Sequence, residues 1–110
     1  MIIKKTLFMC VLFVANLFSQ EFRVDKIEPP NWLEGMKYNK IQLMVYGEGL
    51  SNIKIESKSL QINKVQELEN DNYIFIDVDL RNKEAGDNKI IFSKGTTKTS
   101  VDYPIYKRVI

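Results

Sequence analysis

The sequence contains no histidine and a single cysteine, Cys10, among its 110 residues. Without histidine the chain has no Ser-His-Asp triad and no histidine ligand for a metal ion. Because Cys10 lies in an apolar run near the start, the rest of the chain has no thiol for a disulfide, a metal site or a nucleophile. We therefore expect no catalytic residues, no bound metal and no cofactor.

The apolar run from Thr6 to Phe18 follows two lysines, Lys4 and Lys5. It fits the roughly 7–15 residue core of a secretory signal and is shorter than the about 20 residues of a membrane span. We predict that residues 1–20 are a signal peptide and that residues 21–110 form an exported domain, periplasmic or secreted. The alternative is an anchor that stays attached. Lipidation of Cys10 is disfavoured, because Met9 rather than a small residue precedes it.

The charge balance gives no sign of a nucleic-acid or membrane partner. The chain has 16 Lys+Arg and 14 Asp+Glu, and removal of Lys4 and Lys5 leaves 14 of each sign. A neutral domain without a basic cluster has no electrostatic footprint for nucleic acid or for anionic lipid. We therefore expect neither as a partner, and no membrane contact once the signal is removed.

Alternation of apolar and polar residues dominates the chain after residue 20. It is clearest in residues 73–80, where Ile74, Ile76 and Val78 share one face. Shorter alternating runs occur at residues 22–27, 41–46, 53–56, 60–63, 90–92 and 99–106, and Gly- or Asn-containing turns separate them, among them residues 47–49 and 85–88. One turn of helix is possible at residues 65–69. The pattern predicts an all-β fold, an immunoglobulin-like antiparallel β-sandwich of about seven to eight strands, or a small barrel.

Two acidic residues on the clearest strand raise the question of hydrolytic chemistry. Asp77 and Asp79 share a face and lie about 6–7 Å apart along the strand, which is close to the carboxyl separation of glycosidases. A general acid also needs a sheltered site that raises its pKa. Because these residues lie opposite Ile76 and Val78, we interpret them as a solvated surface pair and predict no catalytic role.

The segment from Glu28 to Asn39 is the only one that does not alternate. Pro29 and Pro30 end the first strand, because proline lacks an amide hydrogen and fixes φ. Trp32 follows them directly. Two interpretations remain open: Trp32 covers the open end of the core, or it contacts a sugar ring or a neighbouring domain.

Two blocks, IEPPNWLEGM at residues 27–36 and IQLMVYG at residues 41–47, carry a resemblance. They resemble the N-terminal domain of bacterial cyclomaltodextrinases and neopullulanases, which are amylase-family glycoside hydrolases. NDNYIF at residues 70–75 is similar to a third segment of that family. Leu33 departs from the family pattern, because many members have a second tryptophan there, and this puts sugar stacking at that position in doubt.

The resemblance implies an immunoglobulin-like domain that precedes a (β/α)₈ catalytic barrel and packs on it. It also implies that this domain helps to shape the substrate cleft and, in some members, a dimer contact. The interdomain or carbohydrate-contact residues implied by the resemblance are Pro29, Pro30, Trp32, Gly35 and Met36. A barrel needs roughly 250 residues, so its catalytic carboxylates are not among these residues.

Two functions are carried forward. The first is a non-catalytic accessory domain of an exported α-glucan-degrading enzyme, whose partners are an α-glucan, an amylase-type barrel or a second copy of the chain. The alternative is a stand-alone exported sandwich that binds a protein partner or a surface glycan. Both rest on analogy with a family rather than on a site.

Overall fold

A computed structural model describes residues 21–108, and the predicted signal peptide at residues 1–20 lies outside them. The described residues form eight strands and no helix. The strands are β1 (Arg23–Glu28), β2 (Trp32–Leu33), β3 (Lys40–Glu48), β4 (Lys54–Glu56), β5 (Gln61–Glu67), β6 (Tyr73–Asp79), β7 (Gly86–Lys94) and β8 (Thr97–Tyr106). Within this part of the chain, no helix has the length and apolar character needed to cross a membrane.

The strands form two four-stranded sheets. The first sheet has the order β1-β3-β6-β5 and the second has the order β2-β8-β7-β4. Every neighbouring pair is antiparallel except β2 and β8, which run parallel. The first order and the β4-β7-β8 group match the two sheets of an immunoglobulin domain. The predicted all-β sandwich is therefore confirmed.

The core lies between the two sheets and consists of the inward residues of the alternating runs. Leu43, Val45, Ile74, Ile76, Ile90 and Phe92 are completely buried. Tyr103 and Ile105 of β8 join the same cluster. These side chains follow every second position of their strands, because successive residues of a strand point to opposite faces. Burial of their apolar area is the main favourable contribution to folding.

Two predicted turns overlap strands in part. Gly47 and Glu48 lie in β3, and Gly86, Asp87 and Asn88 lie in β7, whereas Gly49 and Ala85 lie outside the strands. The position of Gly47 in the strand requires glycine, because the carbonyl oxygen of Arg23 occupies the space where a Cβ would stand. Asn88 is buried, and its side-chain amide donates 3.3 Å hydrogen bonds to the carbonyl oxygens of Gly86 and Tyr103. The buried amide nitrogen of Asn88 thus has hydrogen-bond partners inside the sheet.

The turn of helix that was possible at residues 65–69 does not form, because β5 extends through Glu67. β5 lies at the edge of the first sheet and its register shifts between Ile62 and Lys64. An irregularity of this kind, together with an exposed lysine, makes an edge strand less able to pair with another chain. The polar sequence here reflects an edge strand rather than a helix.

Candidate functional site

The irregular segment carries the chain from one sheet to the other. β1 ends at Glu28 in the first sheet, and β2 begins at Trp32 in the second. The peptide bond between Glu28 and Pro29 is cis. Pro29 is half-buried and Pro30 is exposed. The two prolines therefore occupy the crossing itself, where their lack of an amide hydrogen costs no sheet hydrogen bond.

Trp32 is half-buried and packs against the core cluster. Its register partner in β8 is Ile105, which is buried. The indole Nε1 donates a 2.9 Å hydrogen bond to the carbonyl oxygen of Tyr38, so the polar atom of the ring is satisfied. This position agrees with the interpretation that Trp32 covers the end of the core. A contact of its remaining exposed surface with sugar or with another domain stays a prediction.

Leu33 and Tyr106 lie side by side on the outer surface of the second sheet. They are register partners across β2 and β8, and in parallel strands such partners point to the same face. Leu33 is 38% exposed and Tyr106 is 52% exposed. Because Trp32 and Ile105 point inward, strand alternation forces these two neighbours outward. We call Leu33 and Tyr106, with the 74% exposed Tyr38 that follows in the next loop, the docking surface.

A groove of about 890 Å³ lies beside the docking surface, between residues 34–39 and residues 80–84. Gly35 and Met36 line it, whereas Pro29, Pro30 and Trp32 do not. Arg81, Lys83 and Arg108 bring cationic side chains to its walls. The structure therefore divides the predicted site residues: two line the groove and three lie at the crossing.

Hydrogen bonds from distant elements hold the 34–39 loop. The amide of Ala85 donates to Oε2 of Glu34 at 2.9 Å, and Arg108 donates to the carbonyl oxygen of Gly35 at 3.2 Å. The amide of Glu34 donates to the carbonyl oxygen of Tyr106 at 3.0 Å. The loop is thus tied both to the turn after β6 and to the end of β8.

Asp79 corrects one prediction. We expected a solvated residue, but Asp79 is buried and its carboxylate receives the side chain of Arg81. It lies on the second strand from the edge of its sheet, with Lys40 and Gln61 as register partners on either side, which explains its burial. Hydrogen bonds from the Arg81 side chain and backbone hold its pKa below the usual value. A general acid needs the opposite shift, so Asp79 is not suited to that role.

The described residues offer little for metal chemistry. Between residues 21 and 108 no group of three or more His, Cys, Asp or Glu side chains is placed to hold a metal ion. Asp77 lies on the outer face of β6, where Gln42 Nε2 donates to its Oδ1 at 3.1 Å. What the site offers is apolar and aromatic contact, with polar side chains around a groove.

Sequence reasoning missed Tyr106, Glu34 and Arg108 as members of this site. Tyr106 and Arg108 lie about seventy residues away from the loop in the chain, and they reach it because β8 pairs with β2 in parallel. Parallel pairing of a two-residue strand leaves no periodic signal in the sequence. The sequence shows the polar and aromatic character of residues 103–108, but it does not show that β2 is their neighbour.

Comparison with protein families agrees with this architecture. The family described as "Cyclomaltodextrinase, N-terminal" matches residues 26–109, which include every strand from β2 to β8 and the whole of the crossing. The domain that this family defines is a non-catalytic accessory domain, and the matched residues contain no catalytic barrel. The chain belongs to the cyclomaltodextrinase N-terminal domain family.

Proposed function

We propose that this domain serves an exported α-glucan-degrading enzyme of the cyclomaltodextrinase type, by packing against its catalytic barrel through the docking surface. The observation that carries the proposal is the exposed pair of Leu33 and Tyr106, 38% and 52% exposed, side by side on the second sheet. Family membership indicates the kind of partner.

The chemistry of the docking surface suits a contact between domains. Tyrosine is enriched at protein interfaces because its ring gives a large apolar area and its hydroxyl tolerates partial hydration. Tyr38 adds a third exposed side chain, and its backbone is fixed by the indole of Trp32. Contacts between domains of one chain bury roughly 600–1,500 Å², so the surrounding loop takes part as well.

The groove accounts for the substrate side of the proposal. Its lining includes Gly35, Met36 and Arg108, which lie directly next to the docking surface. A barrel seated on Leu33 and Tyr106 would therefore have the groove at its margin. In that position polar side chains of both signs on its walls, Lys83 and Glu84 among them, can donate hydrogen bonds to sugar hydroxyls and accept them.

Surface plasmon resonance with an amylase-type barrel encoded by the same genome tests the docking. The variants Leu33→Asp and Tyr106→Asp introduce a charge at the centre of the surface. Val65→Asp is the matched control, because Val65 is 37% exposed and lies on β5 in the other sheet. We expect the first two variants to bind the barrel at least about tenfold more weakly than wild type. The reason is that loss of a contact at the centre of an interface can cost more than about 1 kcal/mol.

Equal binding by all three variants would contradict the assignment of the surface. Lack of binding by the unmodified chain would contradict the partner. A barrel bound equally well by wild type and by Val65→Asp, but not by the other two, supports both.

Export is a separate part of the proposal, and the lysine-led apolar run at residues 4–18 supports it. N-terminal sequencing of protein recovered outside the cytoplasm checks it. We expect the recovered chain to begin near Glu21, and a chain that retains Met1 would contradict removal of a signal.

A further inference from the structure

The outer face of the first sheet carries aromatic side chains that neither the groove nor the docking surface uses. The register places Tyr46 of β3 opposite Tyr73 of β6, and Met44 opposite Phe75. All four are half-buried, and they point away from the core because their strand neighbours, such as Val45 and Ile74, point into it. We call Met44, Tyr46, Tyr73 and Phe75 the aromatic strip.

The strip forms a continuous apolar surface at the centre of the sheet. The ring centroids of Tyr46 and Tyr73 are 5.1 Å apart, with the planes tilted by 52°. The ammonium of Lys26 lies 5.7 Å from the centroid of Tyr46, so part of that ring is already in contact. Tyr73 and Phe75 lie about 6.6 Å apart along β6. They are successive outward rings of one strand, at a spacing at which one ligand can contact both.

Hydrogen-bonding side chains flank the strip without an excess of charge. On one side, Gln42 donates to Asp77 at 3.1 Å, and Lys64 is the register partner of Asp77 in β5. On the other side, Lys26 and Glu28 lie 3.9 Å apart as an ion pair. Because each border holds both signs, the surface has no preference for an anionic or a cationic ligand.

The small size of the strip and its charged borders disfavour a protein partner, whereas the docking surface continues into the exposed 34–39 loop. Aromatic side chains of this kind present about 150–250 Å² each when fully exposed, and these are at most about one-third exposed. The accessible area of the strip is therefore on the order of 250 Å², well below the about 800 Å² that each partner contributes to a standard protein interface. A narrow ligand fits this area.

From these observations we infer that the aromatic strip binds a neutral glucan chain, with its pyranose rings stacked on Tyr73 and Phe75. Asp77 accepts hydrogen bonds from the sugar hydroxyls, and the side-chain amide of Gln42 donates and accepts them. Flat aromatic faces contact the C–H groups of a sugar ring, while a neighbouring amide and carboxylate fix its hydroxyl groups. The choice of an α-1,4-glucan rests on the proposed function, but the site itself does not involve the docking surface.

Isothermal titration of the full chain with maltoheptaose tests this inference. The double variant Tyr73→Thr/Phe75→Thr removes both rings and keeps residues that favour strands. Ile91→Thr is the control, since Ile91 is half-buried on β7 of the other sheet and belongs to neither the groove nor the docking surface. We expect the double variant to bind about tenfold more weakly with a cooperative melting transition retained, and Ile91→Thr to bind like wild type.

Amide chemical-shift mapping provides a second readout that does not depend on a variant. On addition of maltoheptaose, we expect the largest shifts at Met44, Phe75 and Asp77. No saturable binding by wild type, equal affinity of the double variant, or shifts confined to residues 33–38 would each overturn the inference. Because the barrel-binding experiment probes Leu33 and Tyr106 instead, failure of one proposal is distinguishable from failure of the other.

Discussion

The guanidinium of Arg81 lies 2.8 Å from the carboxylate of Asp79, whose side chain is 3% exposed while that of Arg81 is 59% exposed. The same carboxylate accepts a 3.0 Å hydrogen bond from the backbone amide of Arg81. A buried acceptor is thus satisfied by a residue two positions along the chain, at the point where β6 ends. Arg81 lines the groove next to Leu80.

This pair predicts a pH dependence of stability. Hydrogen bonds from Arg81 lower the pKa of Asp79 in the folded state, whereas the unfolded value is about 3.9. Its stabilising contribution is therefore present above about pH 4 and is lost as the pH falls through the lower, folded pKa. We expect the unfolding free energy of Asp79→Asn, measured by urea titration, to fall less than that of wild type between pH 5 and pH 3.

The comparison needs an exposed control on another strand, and Asp102→Asn in β8 provides it. Arg23 lowers the pKa of Asp25 in the same direction, so some acid sensitivity remains in the Asp79 variant. An identical acid response of wild type and Asp79→Asn would contradict the role of the pair.

Tyr103 supplies a second prediction. Its ring is 1% exposed, and its hydroxyl has no hydrogen-bond partner among the described residues. An unsatisfied buried hydroxyl costs about 1–3 kcal/mol, so Tyr103→Phe is expected to raise the unfolding free energy by about 1 kcal/mol. Chemical denaturation at pH 7 measures the change. A destabilised variant would show that the hydroxyl has a favourable partner.

The same residue predicts alkaline behaviour. Burial raises the pKa of Tyr103 to about 12, above the unfolded value of about 10. The neutral form is favoured in the folded state, so stability is lost as the pH rises from about 10 towards the folded pKa. Tyr103→Phe should lose less stability than wild type in that range, and parallel curves for the two proteins would refute this.

Gly47 predicts a local disruption of the first sheet. A Cβ at this position would overlap the carbonyl oxygen of Arg23 in β1. Because backbone cannot move aside as a flexible side chain can, Gly47→Ala is expected to cost about 2–3 kcal/mol. Gly35→Ala is the control: its Cβ would meet nothing, and the positive φ of 69° alone costs about 1–2 kcal/mol. Thermal melting of both variants gives the comparison, and an equal loss would contradict it.

Two variants of Trp32 separate the contribution of its packing to stability from that of its hydrogen bond. Its ring packs on the core and its Nε1 donates to Tyr38. Trp32→Phe keeps an aromatic ring and loses the hydrogen bond, at about 1 kcal/mol, whereas Trp32→Ala removes the cover and costs about 2–4 kcal/mol. Urea titration measures both. If the two variants were equally stable, the ring would not be part of the core.

Alternation was enough to predict most of the core. Leu43, Ile76 and Phe92 are buried because each occupies an inward position in a run with period two, and the period follows from strand geometry alone. The resemblance in residues 27–47 identified the family, and the family match confirms it. The local sequence was therefore enough to predict burial wherever strand geometry alone decides which side chains point inward.

Long-range pairing decided the rest. Tyr106 is exposed beside Leu33 only because β8 accepts β2 as a parallel neighbour. Asp79 is buried because two strands flank it and Arg81 folds back over it. The ring contact between Tyr46 and Tyr73 depends on the register of β3 and β6. None of these relationships follows from the spacing of residues within one strand.

Cleavage next to the crossing between β1 and β2 would act on both sheets. These two strands form an edge in each sheet, yet both belong to one short stretch that ends at Leu33. A protease that cut in the loop before Lys40 and released this stretch would strip both sheets on the same side at once. β3 would then lose its edge partner along residues 44–48, and its unpaired amides and carbonyls are templates for association with other chains. β8 would lose its partner at Ile105 and Tyr106. Glu34 and Arg108 hold that loop by hydrogen bonds, and we expect these bonds to slow such cleavage.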